Sequence, residues 1–196
     1  MKKGILLPVL TILVAAAVLF GLSFGLRGVA AAREEAIRLE YMRNILQGSE
    51  HFVEEPYAGD DGTIVAVFKA ENGFVVETCT QGYAGPISML VAVSNEGKVV
   101  GLVVTDLSET AGLGTQVLTD HGFLAQFLNT DGDVTVGTGA DAFSGATGSA
   151  ASDSGVYVDA ISGATVTSKA IQRSVRSAVA YVTGAEADSG ATSWGG

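Results

Sequence analysis

Cysteine is all but missing from this chain: among 196 residues only Cys79 carries a thiol. A single thiol closes no disulfide within the chain and cannot hold an iron–sulfur cluster. Histidine is nearly as scarce, with His51 and His121 far apart in sequence, so the three or four N/S ligands of an ordinary zinc site are not at hand. Positive charge is short as well. Eleven Lys and Arg against 21 Asp and Glu leave a formal net charge of −10, which argues against nucleic acid as a partner, because phosphate contacts need clustered bases. No set of residues reads as an acid–base pair, a Ser-His-Asp triad or a metal centre. If the chain does redox work, its carrier is an organic cofactor.

Charge is also missing locally. From Gly4 to Leu26 no residue is ionisable, and as a helix this run reaches roughly 34 Å, enough to cross the hydrocarbon core of a bilayer. It is longer than the roughly 7–15-residue apolar region of a cleavable signal peptide, so residues 1–30 read as an uncleaved transmembrane anchor and the protein as membrane-bound. Lys2 and Lys3 precede the run while Arg27, Arg33 and Arg38 follow it, which leaves orientation nearly balanced by the count of bases.

Residues 31–48 read as a juxtamembrane helix ending at Gly48, a suitable C-cap. A globular domain follows over residues 49–183. Strand-like runs at Thr63–Lys69, Gly73–Cys79, Ile87–Val93 and Lys98–Thr105 are separated by turns such as Asn72-Gly73 and Asn95-Glu96-Gly97, which predicts an antiparallel meander. A short helix is expected around Phe123–Leu128, with Phe123, Leu124, Phe127 and Leu128 facing inward. The Gly/Ser/Ala-rich stretch 129–155 reads as a flexible excursion and 184–196 as a disordered tail. A helix Ser168–Val182, buried through Ile171, Val175, Ala178, Val179 and Val182, is expected to take Thr167 or Ser168 as its N-cap. The fold class is therefore α+β: a single membrane helix, then an antiparallel-rich sheet with flanking helices.

The most informative stretch joins the apolar run Val156-Tyr157-Val158 to that last helix. It reads Asp159-Ala160-Ile161-Ser162-Gly163-Ala164-Thr165-Val166-Thr167-Ser168. Small and hydroxyl residues before a helix start leave backbone N–H groups open, and the dipole there favours an anion such as a phosphate. Lys169 and Arg173 are near enough in sequence to help neutralise it. A second copy, Asp141-Ala142-Phe143-Ser144-Gly145-Ala146-Thr147, has neither a strand before it nor a durable amphipathic helix after it.

The pattern Asp-x-x-Ser-Gly-Ala-Thr resembles the flavinylation motif of the FMN-binding domains in the Rnf and sodium-pumping quinone reductase complexes. There the final threonine carries FMN through a phosphoester bond, and in this chain it is Thr165. The resemblance to the G subunit of the Rnf complex runs over nearly the whole chain. It includes Gly82-Tyr83-Ala84-Gly85-Pro86-Ile87, similar to the family's Gly-Tyr-x-Gly-Pro-Ile, and Glu109-Thr110-Ala111-Gly112-Leu113-Gly114, similar to Glu-Thr-Pro-Gly-Leu-Gly with alanine in place of proline. The resemblance implies a covalent FMN on Thr165 and a flavin pocket drawing on Asp159, Ser162, Gly163, Ala164, Thr167, Ser168 and Lys169. Tyr83, Glu109, Thr110, Gly112, Leu113 and Gly114 join that pocket, the glycines letting backbone approach a ligand closely. It further implies an electron-relay subunit with no active site of its own, within an ion-translocating ferredoxin/NAD oxidoreductase. The partners are then the other subunits and a separate flavin transferase using FAD. The domain would lie on the outer side of the cytoplasmic membrane, with the N-terminus inside. Two alternatives stay open: the corresponding subunit of the sodium-pumping quinone reductase, and a free-standing, membrane-anchored extracellular flavoprotein.

Overall fold

The computed structural model describes residues 3–107, 121–137, 156–160 and 164–185. It opens on one continuous helix, α1 (Lys3–Ile45), where the sequence suggested an anchor and a separate juxtamembrane helix. No Gly-Pro or polar break interrupts the alanine- and charge-rich stretch after Leu26, so nothing stops the helix before its last turn. Met1–Glu40 forms a unit apart from Tyr41–Gly196. Among the described residues no helix is long and apolar enough to cross a membrane. Most side chains of the run Gly4–Leu26 lie outside the described residues; of those described, Ile12, Leu13, Val14 and Phe20 are exposed.

The second unit is built on a five-stranded antiparallel meander in sequence order. Its strands are β1 (Val53–Glu55), β2 (Ile64–Lys69), β3 (Gly73–Gln81), β4 (Pro86–Ser94) and β5 (Val99–Leu107). Four are the runs expected from their alternating branched residues; β1 is too short to show an alternation. Two short strands follow, β6 (Val134–Gly137) and β7 (Val156–Asp159), paired in parallel. Between β5 and β6 lies the short helix α2 (His121–Ala125), and the chain closes with α3 (Thr165–Thr183).

Register explains the burial. Phe74, Val76, Thr78 and Thr80 stand opposite Val93, Val91, Met89 and Ile87; apart from the half-buried Phe74 this face is buried, and it belongs to the same core as Ile171, Val175, Ala178 and Val179 of α3. On the reverse face Val75 and Ala92 pair with each other, and Ala92 pairs with Gly101. A Cβ on Gly101 would sit 2.3 Å from the carbonyl oxygen of Ile45, so the last turn of α1, with Met42 and Leu46 buried, lies on that side. Covered on both faces, β4 is buried from Met89 to Val93, as a central strand must be.

Three expectations need correction. The stretch 129–155 does not open as a flexible excursion: Val134 and Val136 are buried in the core, because β6 finds a partner in β7 that local composition cannot reveal. Leu128 does not face inward; it is 43% exposed, since the helix ends at Ala125 and the following turns carry Leu128 off the buried face of Phe123 and Phe127. The last helix begins at Thr165 instead of Ser168, so neither Thr167 nor Ser168 is its cap. Residues 138–155 and 186–196, with the second motif at Asp141–Thr147, lie outside the described residues.

Candidate functional site

Thr165 occupies the first position of α3, and the rest of the domain delivers several segments to that end. The direction of α3 over the sheet follows from its contacts. Tyr181, late in the helix, meets Phe74 at the start of β3 with ring centroids 6.1 Å apart. Thr80, late in β3, places its hydroxyl 3.2 Å from the Ala170 carbonyl and 3.1 Å from Ser174 Oγ. The helix is therefore antiparallel to β3. The turn after β3, the exit of β5 at Leu107 (paired with Ile87) and the ends of β6 and β7 all point toward the helix start. On β6 the same direction holds: Asp133 is 3.5 Å from Arg176, and the Val134 carbonyl accepts from Gln172 further up the helix.

The local structure of the corner is unusual in what it leaves open. The capping position is Ala164, with no side-chain cap bond and no acid in the first turn. A helix start normally recruits a hydroxyl or carboxylate there to accept from N–H groups that have no intrahelical partner. Ser168 turns the other way: both its N–H (2.9 Å) and its hydroxyl (3.0 Å) donate to the Ala164 carbonyl. Thr167, 1% exposed, has a hydroxyl with no hydrogen-bond partner among the described residues. A buried polar atom without a partner is rare enough to need a reason, an unseen ligand being one. A helix start without a side-chain cap, a buried hydroxyl without a described partner and no first-turn acid fit a phosphate.

Around this start the expected residues fall as follows. Ala164 is buried, Thr165 half-buried and Lys169 exposed. Asp159 is exposed at the end of β7, its backbone N–H donating to Gln126 Oε1 at 3.0 Å. Tyr83 is 81% exposed, held outward by a turn in which the Gly82 N–H donates to the Gly85 carbonyl at 2.8 Å. Ser162 and Gly163 of the motif, and the whole Glu109, Thr110, Gly112, Leu113 and Gly114 loop, lie outside the described residues. Sequence reasoning passed over Thr80, Ser174 and Gln126, which tie α3 and β7 to their neighbours; only the polar positions within otherwise apolar faces signal them. A larger groove of about 520 Å³, lined by Ile45, Leu46, Asn72, Gly101, Leu124 and Leu128, includes none of the residues at the helix start.

Further along α3, Asp61 receives the Thr63 N–H at 2.8 Å. Burial acts to raise its carboxyl, but hydrogen bonds from Ser177 and Thr63, with Arg173 nearby, outweigh it and hold the group below the usual carboxylate value.

Comparison with known proteins adds the following. Residues 82–180 match the FMN-binding domain family. The chain is 31% identical over 162 residues to the G subunit of the proton-translocating ferredoxin:NAD(+) oxidoreductase complex of Clostridium ljungdahlii, covering 79% of this chain and 77% of that one. It is 35% identical over 159 residues to the G subunit of the ion-translocating oxidoreductase complex of Methanosarcina acetivorans, covering 75% and 76%. Among solved structures, the C subunit of the Na(+)-translocating NADH-quinone reductase of Parabacteroides distasonis shares the fold, with a TM-score of 0.52 at 19% identity over 80% of this chain and 94% of that one.

Proposed function

The chain belongs to the FMN-binding domain family, among the G subunits of ion-translocating oxidoreductase complexes, and from that premise we propose that it relays electrons through an FMN held covalently on Thr165. The observation that carries the reading is the start of α3: a first turn without a side-chain cap or an acid, and a buried Thr167 hydroxyl with no partner among the described residues. A phosphodiester on Thr165 would bring negative charge to the amides of that turn, where the helix dipole favours it. Thr165 is then an acceptor of modification and not a nucleophile in turnover. Attachment by a flavin transferase forms a bond from Thr165 Oγ to the FMN phosphorus of FAD, breaks the phosphoanhydride bond to AMP and releases the hydroxyl proton.

FMN, when bound, supplies one- and two-electron transfer; the protein's share is to place the ring and set its environment. Ala164, Ser168 and Lys169 surround the attachment point. Tyr83, on its fixed turn at the same end of the domain, offers an aromatic face, and the 109–114 loop follows directly from β5. Ser162, Gly163 and Asp159 complete the motif. A covalent bond removes dissociation from the electron path, which matters if the domain faces outward from a membrane. Exposed Ile12, Leu13, Val14 and Phe20 on α1 support an anchor in the bilayer, with the remaining members of the complex as partners. Identity and coverage favour the G-subunit reading over that of a sodium-pumping quinone reductase, whose likeness extends to the fold alone.

Thr165→Val is expected to abolish flavin fluorescence on the denatured protein band when the chain is produced with its transferase, and Thr147→Val to leave it. Fluorescence that survives Thr165→Val and disappears with Thr147→Val would transfer the attachment to the other motif.

A further inference from the structure

We propose that the cleft between the 57–63 loop and the late turns of α3 is a docking pocket for an arginine side chain of another subunit. The proposal rests on the chain's place among the G subunits of oxidoreductase complexes and not on Thr165, which lies roughly 24 Å up α3 from Tyr181 at about 1.5 Å per residue. The cleft encloses about 350 Å³, with Tyr57, Asp60 and Asp61 on its loop wall and Ser177, Ala180 and Tyr181 on its helix wall. The loop wall is built in advance. The Asp61 N–H donates to the Tyr57 hydroxyl at 3.1 Å, and the Thr63 N–H donates to Asp61 Oδ1 at 2.8 Å. Tyr57 folds back over Gly59, where a Cβ would sit 2.3 Å from the Tyr57 hydroxyl oxygen. A wall already held in place loses little freedom when something binds against it. On α3 the side chains of Ser177 and Ala180 are small, which leaves the space open.

The lining fits a flat cation. Tyr57 and Tyr181 meet edge to face, with ring centroids 5.8 Å apart. In such a pair the ring that offers its edge keeps its own faces clear of its partner, and ring faces attract cations. Asp61 is occupied by Thr63 and Ser177, with Arg173 nearby, so it holds the loop. Asp60 is exposed and has no ion pair among the described residues; it is the carboxylate left for a visitor. A guanidinium can stack on a tyrosine while its fork donates to a carboxylate, a match that a compact ammonium lacks. The molecule uses related chemistry next door: Lys69 Nζ lies 5.5 Å from the Phe74 centroid and 3.5 Å from Glu55, which also accepts from the Tyr181 hydroxyl at 3.4 Å. A bare metal ion fits poorly, since calcium takes about 6–8 oxygens and no group of three His, Cys, Asp or Glu suited to a metal occurs among the described residues. The chain's own bases do not fill the cleft. Lys69, Lys98 and Arg176 are paired with Glu55, Asp131 and Asp133, Arg173 is not part of the lining, and residues 186–196 contain no base. The cation therefore comes from a partner, and arginine is among the residues that dominate buried interface contacts.

The test uses the full chain in detergent micelles with 3-fluorotyrosine at its five tyrosines, each fluorine signal assigned by a Tyr→Phe replacement. N-acetyl-arginine amide is titrated at constant ionic strength. The Tyr57 and Tyr181 signals are expected to shift and saturate with a Kd of roughly 1–10 mM, while Tyr41, Tyr83 and Tyr157 stay still. N-acetyl-citrulline amide, of the same shape without the charge, should move none of them. Asp60→Asn should weaken binding about two- to fivefold, the range for an exposed ion pair, whereas Glu96→Gln in the distant hairpin turn should not. In the assembled complex, Asp60→Arg should lower the recovery of the other subunits on the tagged chain at least about tenfold, because like charges face each other, with Glu96→Arg as the matched control. Absence of a saturable shift, an equal response to citrulline, or an unchanged Kd in Asp60→Asn overturns the pocket. N-acetyl-lysine amide binding as tightly overturns the choice of arginine, and full recovery of the subunits with Asp60→Arg overturns the partner. Flavin fluorescence of the same preparation reports on Thr165 separately, so the two readings fail independently.

Discussion

The contact that decides where α3 lies, and so where Thr165 lies, is the buried pair Thr80 and Ser174. Their side chains are 4% and 0% exposed, and Thr80 Oγ1 is within reach of both Ser174 Oγ and the Ala170 carbonyl. Thr80→Val preserves volume but leaves the Ser174 hydroxyl without its cross-element partner. Removing one member of a buried pair costs about 1–3 kcal/mol; Ser174 can turn back toward the carbonyl four residues earlier, so the lower half of that range, about 1–2 kcal/mol, is expected. Ser174→Ala leaves Thr80 its bond to Ala170 and should cost about 1 kcal/mol. With both changed, no orphan remains, and replacing both partners by apolar groups of similar shape can be nearly neutral. The double variant should therefore fall short of the sum by about 1 kcal/mol or more, within the usual range for residues in contact. Urea unfolding followed by circular dichroism measures all four corners of the cycle. Each kcal/mol corresponds to roughly 2–4 °C in melting temperature for a chain of this length. Costs that add to within about 0.3–0.5 kcal/mol would mean that the two hydroxyls do not interact, and the placement of α3 over the end of β3 would lose its main support.

Two further outcomes follow from the packing and the charges. Gly101→Ala would place a Cβ 2.3 Å from the Ile45 carbonyl oxygen and 2.8 Å from Ile45 Cβ. Neither atom is the end of a flexible chain, so a cost of about 1–3 kcal/mol is expected, with faster hydrogen exchange at the Leu46 amide bonded to Met42; unchanged exchange there would refute the contact. Asp61 has a folded-state pKa below its ordinary value, so its contribution is present above the unfolded carboxylate pKa of about 3.9 and is lost as pH falls through the lower folded value. Stability should thus be insensitive to this group from neutral pH down to about 5, then decline on further acidification, and Asp61→Asn should flatten that decline; an unaltered acid limb in the variant would remove Asp61 from the account.

The meander was legible because its strands alternate and its turns carry their own chemistry: Gly97 takes φ +78° in the Asn95-Glu96-Gly97 turn. What the sequence hid was pairing at a distance. Val134 and Val136 sit in a stretch of glycine and threonine, and only β7, across a long interval of chain, makes them a strand. The shared face of Val75 and Ala92 was likewise invisible until Gly101 admitted the end of α1. At the last helix, the start expected at Ser168 lies at Thr165. A hydroxyl followed by an amphipathic run usually marks a cap, whereas here Ala164 caps and the hydroxyls lie inside the first turn. That difference is the informative one, since a capping side chain would occupy an amide that an anion could otherwise take.

The charges of α3 point the same way, and they can be read without any structure. In a chain with nearly twice as many acids as bases, this helix holds Lys169, Arg173 and Arg176 and no acid at all. Helix stability alone favours acids in the first turn and bases in the last; α3 has neither, and its bases begin at its fifth residue. Arg176 meets Asp133 at 3.5 Å, and Arg173 lies near Asp61. Lys169, exposed one turn from Thr165, has no such structural use among the described contacts. A base placed there works against the dipole unless an anion sits at the helix start, in which case dipole, amides and ammonium act on it together. Lys169→Glu should therefore leave an unloaded chain as stable or slightly more so, by about 0.3–1 kcal/mol through the dipole, and lower the gain on flavinylation. An unloaded chain destabilised by the change, with the flavin-linked gain intact, would show that Lys169 serves the fold and not the anion.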